Sequence, residues 1–422
     1  MSYMTGLQCL RCNKNYPLEV LLKGCPECDV PVNLTVKYDY DAIEKVFDPQ
    51  RLKERAHTMW RYWEFLPANQ EHIVTMGEGM TPLIPVPRLG AEIGVPNLYV
   101  KNETVNPSWS FKDRMAAAAV SVAPQFNKTA ITASSSGNAG SATAAFAARA
   151  GMDCVLFTVA DFPQTMKTQM EVYGTKLIAM PTILDRWRMV EALVDNFGWF
   201  TTAGFCWPPV GSNPYAIEGY KTIGYEISEQ LSWRAPNAVV VPVGGGDAFY
   251  GAWKGFTEFY NAGYIDSLPR MIAAETFGPL KNALAKGLEF PEEVDYGPTV
   301  AISVGVPYGT YQSMKALWDS GGDAESAADN EAIMEMQLKL AALEGIYAEA
   351  SSVQTLAVIK QLREAGRIDR DEVVVALLTS TGLKHPEVTL ELLPTIPELE
   401  PRLDAVVQAL EDVYDYRIVS NL

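Results

Sequence analysis

Residues 129–159 read TAITASSSGNAGSATAAFAARAGMDCVLFTV. Thr129–Ala133 is a short strand-like run, a Ser/Gly turn follows it, an alanine-rich helix is expected over about 139–150, and Cys154–Val159 is a second apolar strand. Strand, small-residue helix and strand make the repeating unit of a parallel sheet. Its strands are apolar along their whole length because helices cover both faces. The alternation extends in both directions. Upstream lie a strand at Asn97–Lys101 and a helix at Phe111–Val122, whose AAAA run at 116–119 lets it pack close to a sheet. Downstream come helices over 163–173 and 184–196 around a strand at 176–180. A second series follows: helix 215–231, strand Ala238–Val243, helix 248–260, strand Met271–Ala274, helices near 330–344 and 352–365, and strand Val373–Leu378. Residues 36–95 read as helical and irregular around the Gly/Pro turn GEGMTPL at 77–83, and 320–332 (SGGDAESAADNEA) as an exposed loop leading into a helix.

The composition sets limits on function. The chain has 422 residues, 51 acidic against 34 basic, and a net charge of -17. Phosphate backbones and anionic lipid surfaces both need a basic footprint, so neither nucleic acid nor a membrane surface is expected as a partner. No uninterrupted apolar run reaches the length of a membrane span. The opening MSYMTGLQCLRCNK lacks the basic-then-apolar pattern of a signal peptide, which makes a cytoplasmic location the expectation.

Four of the six cysteines form two knuckles, Cys9-Leu-Arg-Cys12 and Cys25-Pro-Glu-Cys28, with a hairpin-like stretch between them. Each C-x-x-C offers two thiolates from one tight turn, and two such turns can close a tetrahedral structural zinc site. The plain alternative is four reduced thiols without metal. Cys154 and Cys206 stand alone and read as buried apolar residues, and none of His57, His72 and His385 lies near another at ligand spacing.

Ligands on parallel sheets bind at the carboxyl ends of strands, in the loops that open helices. Three such loops carry chemistry. Asn106-Pro-Ser-Trp-Ser-Phe-Lys-Asp-Arg114 puts Lys112 at the start of an apolar helix. In a crevice its amine would be desolvated and partly neutral, fit for imine chemistry; otherwise it is a first-turn lysine reaching water. Ser134-Ser-Ser-Gly-Asn-Ala-Gly140 places hydroxyls and backbone N–H groups at a helix start. That is either an anion pocket suited to an amino-acid carboxylate or an ordinary Ser/Gly turn. Val243-Gly-Gly-Gly-Asp-Ala248 follows the strand AVVVPV, and its glycines let successive N–H groups converge on a phosphate, with Asp247 read as the N-cap of the next helix.

In this order, SFKDR around Lys112, SSGNAG around Asn138, GGGD at 244–247 and TSTGLK at 379–384 resemble the pyridoxal-phosphate (PLP) enzymes of fold type II. GEGMTPL, the cysteine ribbon and EGIYAEASS at 344–352 are similar to the threonine synthase branch of that family, and the resemblance spans essentially the whole chain. It implies a tryptophan synthase β-like fold: two parallel-sheet α/β domains plus a zinc-ribbon-like segment. The ribbon would be 1–35, the large PLP-binding domain 36–103 and 216–422, and the small α/β domain 104–215. A homodimer is the family expectation. Lys112 would carry the cofactor as a Schiff base, and Asn138 would bond its phenolic oxygen. Gly244, Gly245, Gly246, Asp247 and Ala248 would wrap its phosphate, and Thr379 would sit at the pyridine nitrogen. Ser135, Ser136 and Gly137 would hold the substrate carboxylate, with Trp109 beside the lysine. Glu275 and Glu349 are weaker candidates near the cofactor, as are Tyr308, Tyr311, Trp187 and Trp207 as pocket aromatics.

The sequence departs from that branch where a substrate phosphate would bind. The threonine of the family's G-N-T is Ala139. The serine and arginine of S-x-N-P-x-R are Gly211 and Ala216, an asparagine after the glycine loop is Ala248, and Trp109 replaces a glycine. The arginine that a buried phosphate needs is missing from its usual place. The expectation is therefore a PLP-dependent lyase or dehydratase, or a β-replacement enzyme, acting on an unphosphorylated small amino acid through an aminoacrylate. Threonine synthase proper is the first alternative, and a catalytically silent PLP- and zinc-binding interaction protein the second.

Overall fold

The computed structural model describes residues 2–418. The chain divides into two compact units, Met1–Lys384 and His385–Leu422.

The first unit opens on a small antiparallel sheet of β1 (Met4–Cys9), β2 (Asn15–Tyr16) and β3 (Leu34–Tyr38), in the order β2-β1-β3. The short helix α1 (Tyr40–Glu44), strand β4 (Leu83–Pro85) and helix α2 (Pro87–Glu92) then lead to β5 (Leu98–Asn102) and α3 (Lys112–Val122).

A four-stranded parallel sheet, ordered β8-β7-β6-β9, follows. It is wound from β6 (Ala130–Ser134), α4 (Asn138–Ala150), β7 (Asp153–Thr158), α5 (Gln164–Val172), β8 (Lys176–Ala179), α6 (Ile183–Phe197) and β9 (Phe200–Thr201). The helix expected over 215–231 is α7 (Pro214–Ile217) and α8 (Lys221–Gln230), joined by a 3-10 turn.

The remaining elements are β10 (Ala238–Pro242), α9 (Asp247–Asn261), β11 (Arg270–Glu275), α10 (Pro279–Lys286), α11 (Tyr311–Ser320), β12 (Asp323–Ser326), α12 (Asn330–Glu344), α13 (Ala350–Glu364) and β13 (Val374–Leu378). With β5 and β4 their strands form a six-stranded sheet, β12-β11-β10-β13-β5-β4, parallel except for β4. Every residue of β10 and β13 is buried, as strands covered on both faces require.

The alanine run has a packing consequence. Ala116–Ala119 are fully buried, and α3 lies against α4 and α7. At Gly219 a Cβ would stand 2.0 Å from the Arg114 carbonyl oxygen, so only glycine admits this approach.

One expectation fails here. Residues 323–326 form β12, an edge strand parallel to β11, inside the segment read as a loop. Acidic residues and serine are poor strand formers, so the pattern hid it. Arg367 pairs with both Asp323 and Glu325, which neutralises the charge on that edge.

The second unit holds α14 (Glu387–Leu390) and α15 (Leu403–Tyr414).

Candidate active site

The loop before α3 is fixed by side chains that never meet solvent. Ser108 donates through its N–H (2.6 Å) and its hydroxyl to the Asp113 carboxylate. Asn106 accepts from Gly79 N–H at 3.0 Å, which ties the loop to the GEGMTPL turn. Arg114 forks onto two carboxylates. Its Nε and Nη2 reach Glu103 at 2.7 Å each, and its Nη1 and Nη2 reach Glu226 at 2.5 and 2.7 Å. Glu226 also takes Lys101 Nζ at 2.7 Å. All four side chains are fully buried, and the two lysine and arginine charges hold the Glu226 carboxyl at about 2 despite its burial.

Lys112 stands between these anchors, at the first position of α3. Its ammonium lies over the rings of Phe111 (4.7 Å) and Tyr220 (5.7 Å). It faces a cavity of about 470 Å³, and desolvation lowers its pKa although Asp247 and Glu349 pull the other way. Lys112 is part-exposed at the cavity wall, with its amine facing the lining rather than standing free on the surface.

Ser135, Ser136, Gly137, Asn138, Gly244, Gly245, Gly246, Asp247, Ala248, Thr379 and Lys112 all line this one cavity. The glycine loop fits a phosphate. α9 starts after Gly246, at φ +83°, and no side chain caps its first N–H groups. A Cβ on Gly246 would stand 1.7 Å from Ser313 Oγ, while a Cβ on Gly245 would meet nothing within 4 Å, so the loop is open on the cavity side. Asp247 is not the cap. Its carboxylate accepts from Ser212 N–H (3.0 Å), Ser212 Oγ (2.5 Å) and Gln312 Nε2 (2.5 Å), which turns it away from the phosphate cradle.

Opposite lies a polar floor. Asn138 donates to Glu349 at 3.1 and 3.2 Å and accepts from Ser380 Oγ at 3.2 Å. Ser352 Oγ accepts from the N–H groups of Thr379 and Ser380, each at 3.0 Å, and lies 2.8 Å from Thr379 Oγ1. Glu349, ranked low from sequence, is buried in this floor. Glu275 lies outside the lining. Its carboxylate accepts from Leu280 N–H and Lys281 N–H at 2.9 Å each, at the start of α10.

The serine loop is primed to donate. Ser135 Oγ accepts from Gly137 N–H (3.3 Å) and Gly140 N–H (2.9 Å). Ser136 Oγ accepts from Val159 N–H (3.1 Å) and from Arg186 Nη1 (3.1 Å). With both oxygens occupied as acceptors, each hydroxyl proton is left to donate to an anion. Arg186, from the first turns of α6, also lines the cavity, and sequence reading passed over it. An arginine in an amphipathic helix looks like any surface charge; only the placement of α6 beside the serine loop shows otherwise.

Trp109 lies outside the cavity lining. Its backbone is left-handed (φ +67°), its indole is 52% exposed, and its carbonyl accepts from Ser380 Oγ at 3.1 Å. A glycine takes that φ freely, so the tryptophan strains the turn without filling the pocket. Trp187, Trp207 and Tyr308 pack on one another beside a smaller cavity that reaches Gly245 and Asp247, whereas Tyr311 packs on Phe290 and Trp318.

In the ribbon, the four thiols of Cys9, Cys12, Cys25 and Cys28 lie within 4.8 Å of one another. Cys9–Cys28 and Cys12–Cys25 are 3.6 and 3.7 Å apart. A tetrahedron with Zn–S bonds of 2.3 Å has edges of about 3.8 Å, so the cluster is compatible with zinc.

Residues 74–380 match the family described as pyridoxal-phosphate dependent enzyme, and the chain belongs to it. Threonine synthase of Methanocaldococcus jannaschii is 34% identical over 413 residues, which cover 96% of this chain and 99% of that protein. Threonine synthase of Methanosarcina acetivorans matches to the same extent, at 34% identity and with 96% and 99% covered. Among solved structures, the processed form of threonine deaminase isoform 2 from Solanum lycopersicum superposes with a TM-score of 0.62 at 20% identity, covering 74% of this chain and 81% of its own. That likeness establishes the fold.

Proposed function

We propose that this member of the pyridoxal-phosphate family removes or replaces a β-substituent of a small unphosphorylated amino acid, as a lyase, a dehydratase or a β-replacement enzyme. When bound, the cofactor supplies an electron sink for charge developing at the substrate's α-carbon. Gly244 to Ala248 would hold its phosphate through backbone N–H groups, and Lys112 would carry it on the ε-amine. With its ε-amine free, Lys112 would be the base that takes the α-proton and hands it on to the departing group, and desolvation favours the neutral amine that this needs. Ser135, Ser136 and Gly137 would orient the carboxylate with hydroxyl and backbone donors. Thr379, a neutral hydroxyl at the pyridine nitrogen, would leave the sink mild, which suits elimination better than amino transfer. Asn138 donates to Glu349 here, so to reach the cofactor's phenolic oxygen its amide must spare one of its two N–H groups from that carboxylate.

The observation that carries the unphosphorylated substrate is the cavity wall itself. Two positions where the resemblance places polar partners of a substrate phosphate are the methyl groups of Ala139 and Ala248. Amino acids with a β-hydroxyl or β-amino group should yield keto acid and ammonia, or a new β-bond when a nucleophile is supplied. Failure of every such amino acid, with threonine and phosphate formed from O-phosphohomoserine, would establish the second reading, threonine synthase. That reading draws on the archaeal relatives and on Arg186, a cation within the same cavity. Borohydride should fix a pyridoxyl group on Lys112; its absence would favour a silent binding protein. A small domain over 104–215 set in a large one, a homodimer and a cytoplasmic setting complete the reading, and sedimentation tests the assembly.

A further inference from the structure

Four charged side chains line the active-site cavity: Lys112, Arg186, Asp247 and Glu349. Three have work or partners. Lys112 is the cofactor lysine, Glu349 holds Asn138, and Asp247 holds Ser212 and Gln312. Arg186 is left over. Among the described residues it forms no ion pair, and the titratable group that acts on it, the Tyr308 phenol, is kept neutral by burial, which pushes it up to about 12. Its Nη1 bonds the neutral Ser136 hydroxyl at 3.1 Å, and its buried Nε has no partner.

This placement is costly for the apoprotein. A partly buried guanidinium without a carboxylate recovers only the Ser136 hydrogen bond for the hydration it loses. Its position in the first turns of α6 also sets it against the positive end of the helix dipole. The nearest acid on that helix, Asp185, is turned to Thr182 and Arg188. A ligand anion would remove both costs.

The α-carboxylate does not need this cation. Two free hydroxyl protons and the N–H groups that open α4 already form a neutral anion pocket on the serine loop. Arg186 comes from a different element, and Val159, Phe162 and Ile183 line the cavity with it. One guanidinium matches a single negative charge. A phosphate dianion would find Ala139 and Ala248 in place of polar partners.

We propose that Arg186 is a specificity-determining residue: its guanidinium holds a second, monoanionic oxyacid group, a carboxylate or sulfonate, on the substrate's side chain. The inference rests on the reading of the cavity as an amino-acid site. It narrows the substrate class to amino acids that are acidic at both ends.

The test is calorimetric binding to the PLP-loaded full chain, with L-aspartate and L-cysteate against L-asparagine and L-serine, and O-phospho-L-serine as a dianion. The wild type should bind the two monoanionic side chains at least about tenfold more tightly than asparagine. Arg186→Gln should collapse that ratio to about one while leaving asparagine and serine within a factor of about three. Arg186→Lys, which keeps the charge and loses the fork, should fall between them. An aspartate-to-asparagine ratio near one in the wild type would overturn the proposal. Equal weakening of all five ligands in Arg186→Gln would do so too, since it would move the guanidinium to the α-carboxylate. A preference for phosphoserine would overturn the monoanion assignment. Selective aspartate binding without turnover of any amino acid would count against the proposed reaction and leave the anion site standing.

Discussion

The Asn138 amide and the Glu349 carboxylate are joined across the cavity floor at 3.1 and 3.2 Å, although 211 residues separate them in the chain. Asn138 opens α4 in the four-stranded sheet unit, and Glu349 precedes α13 in the six-stranded one. The pair closes the floor from both sides and puts a negative charge within reach of Lys112. A carboxylate there favours the ammonium form of the lysine, against burial, which favours the free amine.

Glu349→Gln therefore has a definite sign. The amide keeps a partner for Asn138 and removes the charge, so the pKa of Lys112 must fall further. In cofactor-free protein, the pH at which Lys112 is half-reactive toward trinitrobenzenesulfonate should move down. A midpoint that stays or rises would show that the carboxylate does not act on the lysine.

Arg114→Met leaves Glu103 and Glu226 buried with a single lysine, Lys101, for compensation. Breaking a buried ion cluster by deleting one partner costs about 3–5 kcal/mol. Urea unfolding should register that loss, and turnover should fall with it because Lys112 is held by the neighbouring anchors. A change under about 1 kcal/mol would mean that the carboxylates are neutral or rehydrated in the folded protein.

Glu275 tunes stability with pH. Desolvation raises its carboxyl from 4.5 to about 7, outweighing the N–H groups of Leu280 and Lys281. Between those two values the folded chain binds a proton that the unfolded chain has released, so stability is highest near pH 4.5 and falls as pH rises toward 7. The contribution is roughly 3 kcal/mol over that window. Glu275→Gln should flatten this part of the pH–stability curve in denaturant titrations. An unchanged slope would assign it to other groups.

The ribbon should hold one zinc per chain, measurable by atomic emission on dialysed protein. Cys12→Ser should lower occupancy, because three thiolates and a hydroxyl bind zinc more weakly than four thiolates. Full-length protein with no zinc, whose thiols all react freely under native conditions, would show the cluster to be four reduced cysteines.

The order of strands and helices was legible through 129–197, where β6, α4, β7, α5, β8 and α6 fall within a residue or two of their expected bounds, whereas α10 and α11 drew no expectation. Strand β12 was not legible, because charge pairing with Arg367 overrode poor propensity. The three loops that the sequence singled out do line one cavity, since glycine, serine and lysine at helix starts carry their reasons locally. Asp247 was misread because its partners, Ser212 and Gln312, lie 35 and 65 residues away.

The sequence by itself determined the parallel α/β plan, the lysine, the glycine cradle and the paired cysteine knuckles, because short-range backbone geometry and side-chain spacing suffice for each. Tertiary structure alone decided which charges meet. It set Glu349 under Asn138, turned Asp247 away from the cradle, kept the Trp109 indole out of the pocket and brought Arg186 to Ser136. Those outcomes depend on how two sheets and their helices pack, and a pairing across such distances leaves no period in the chain.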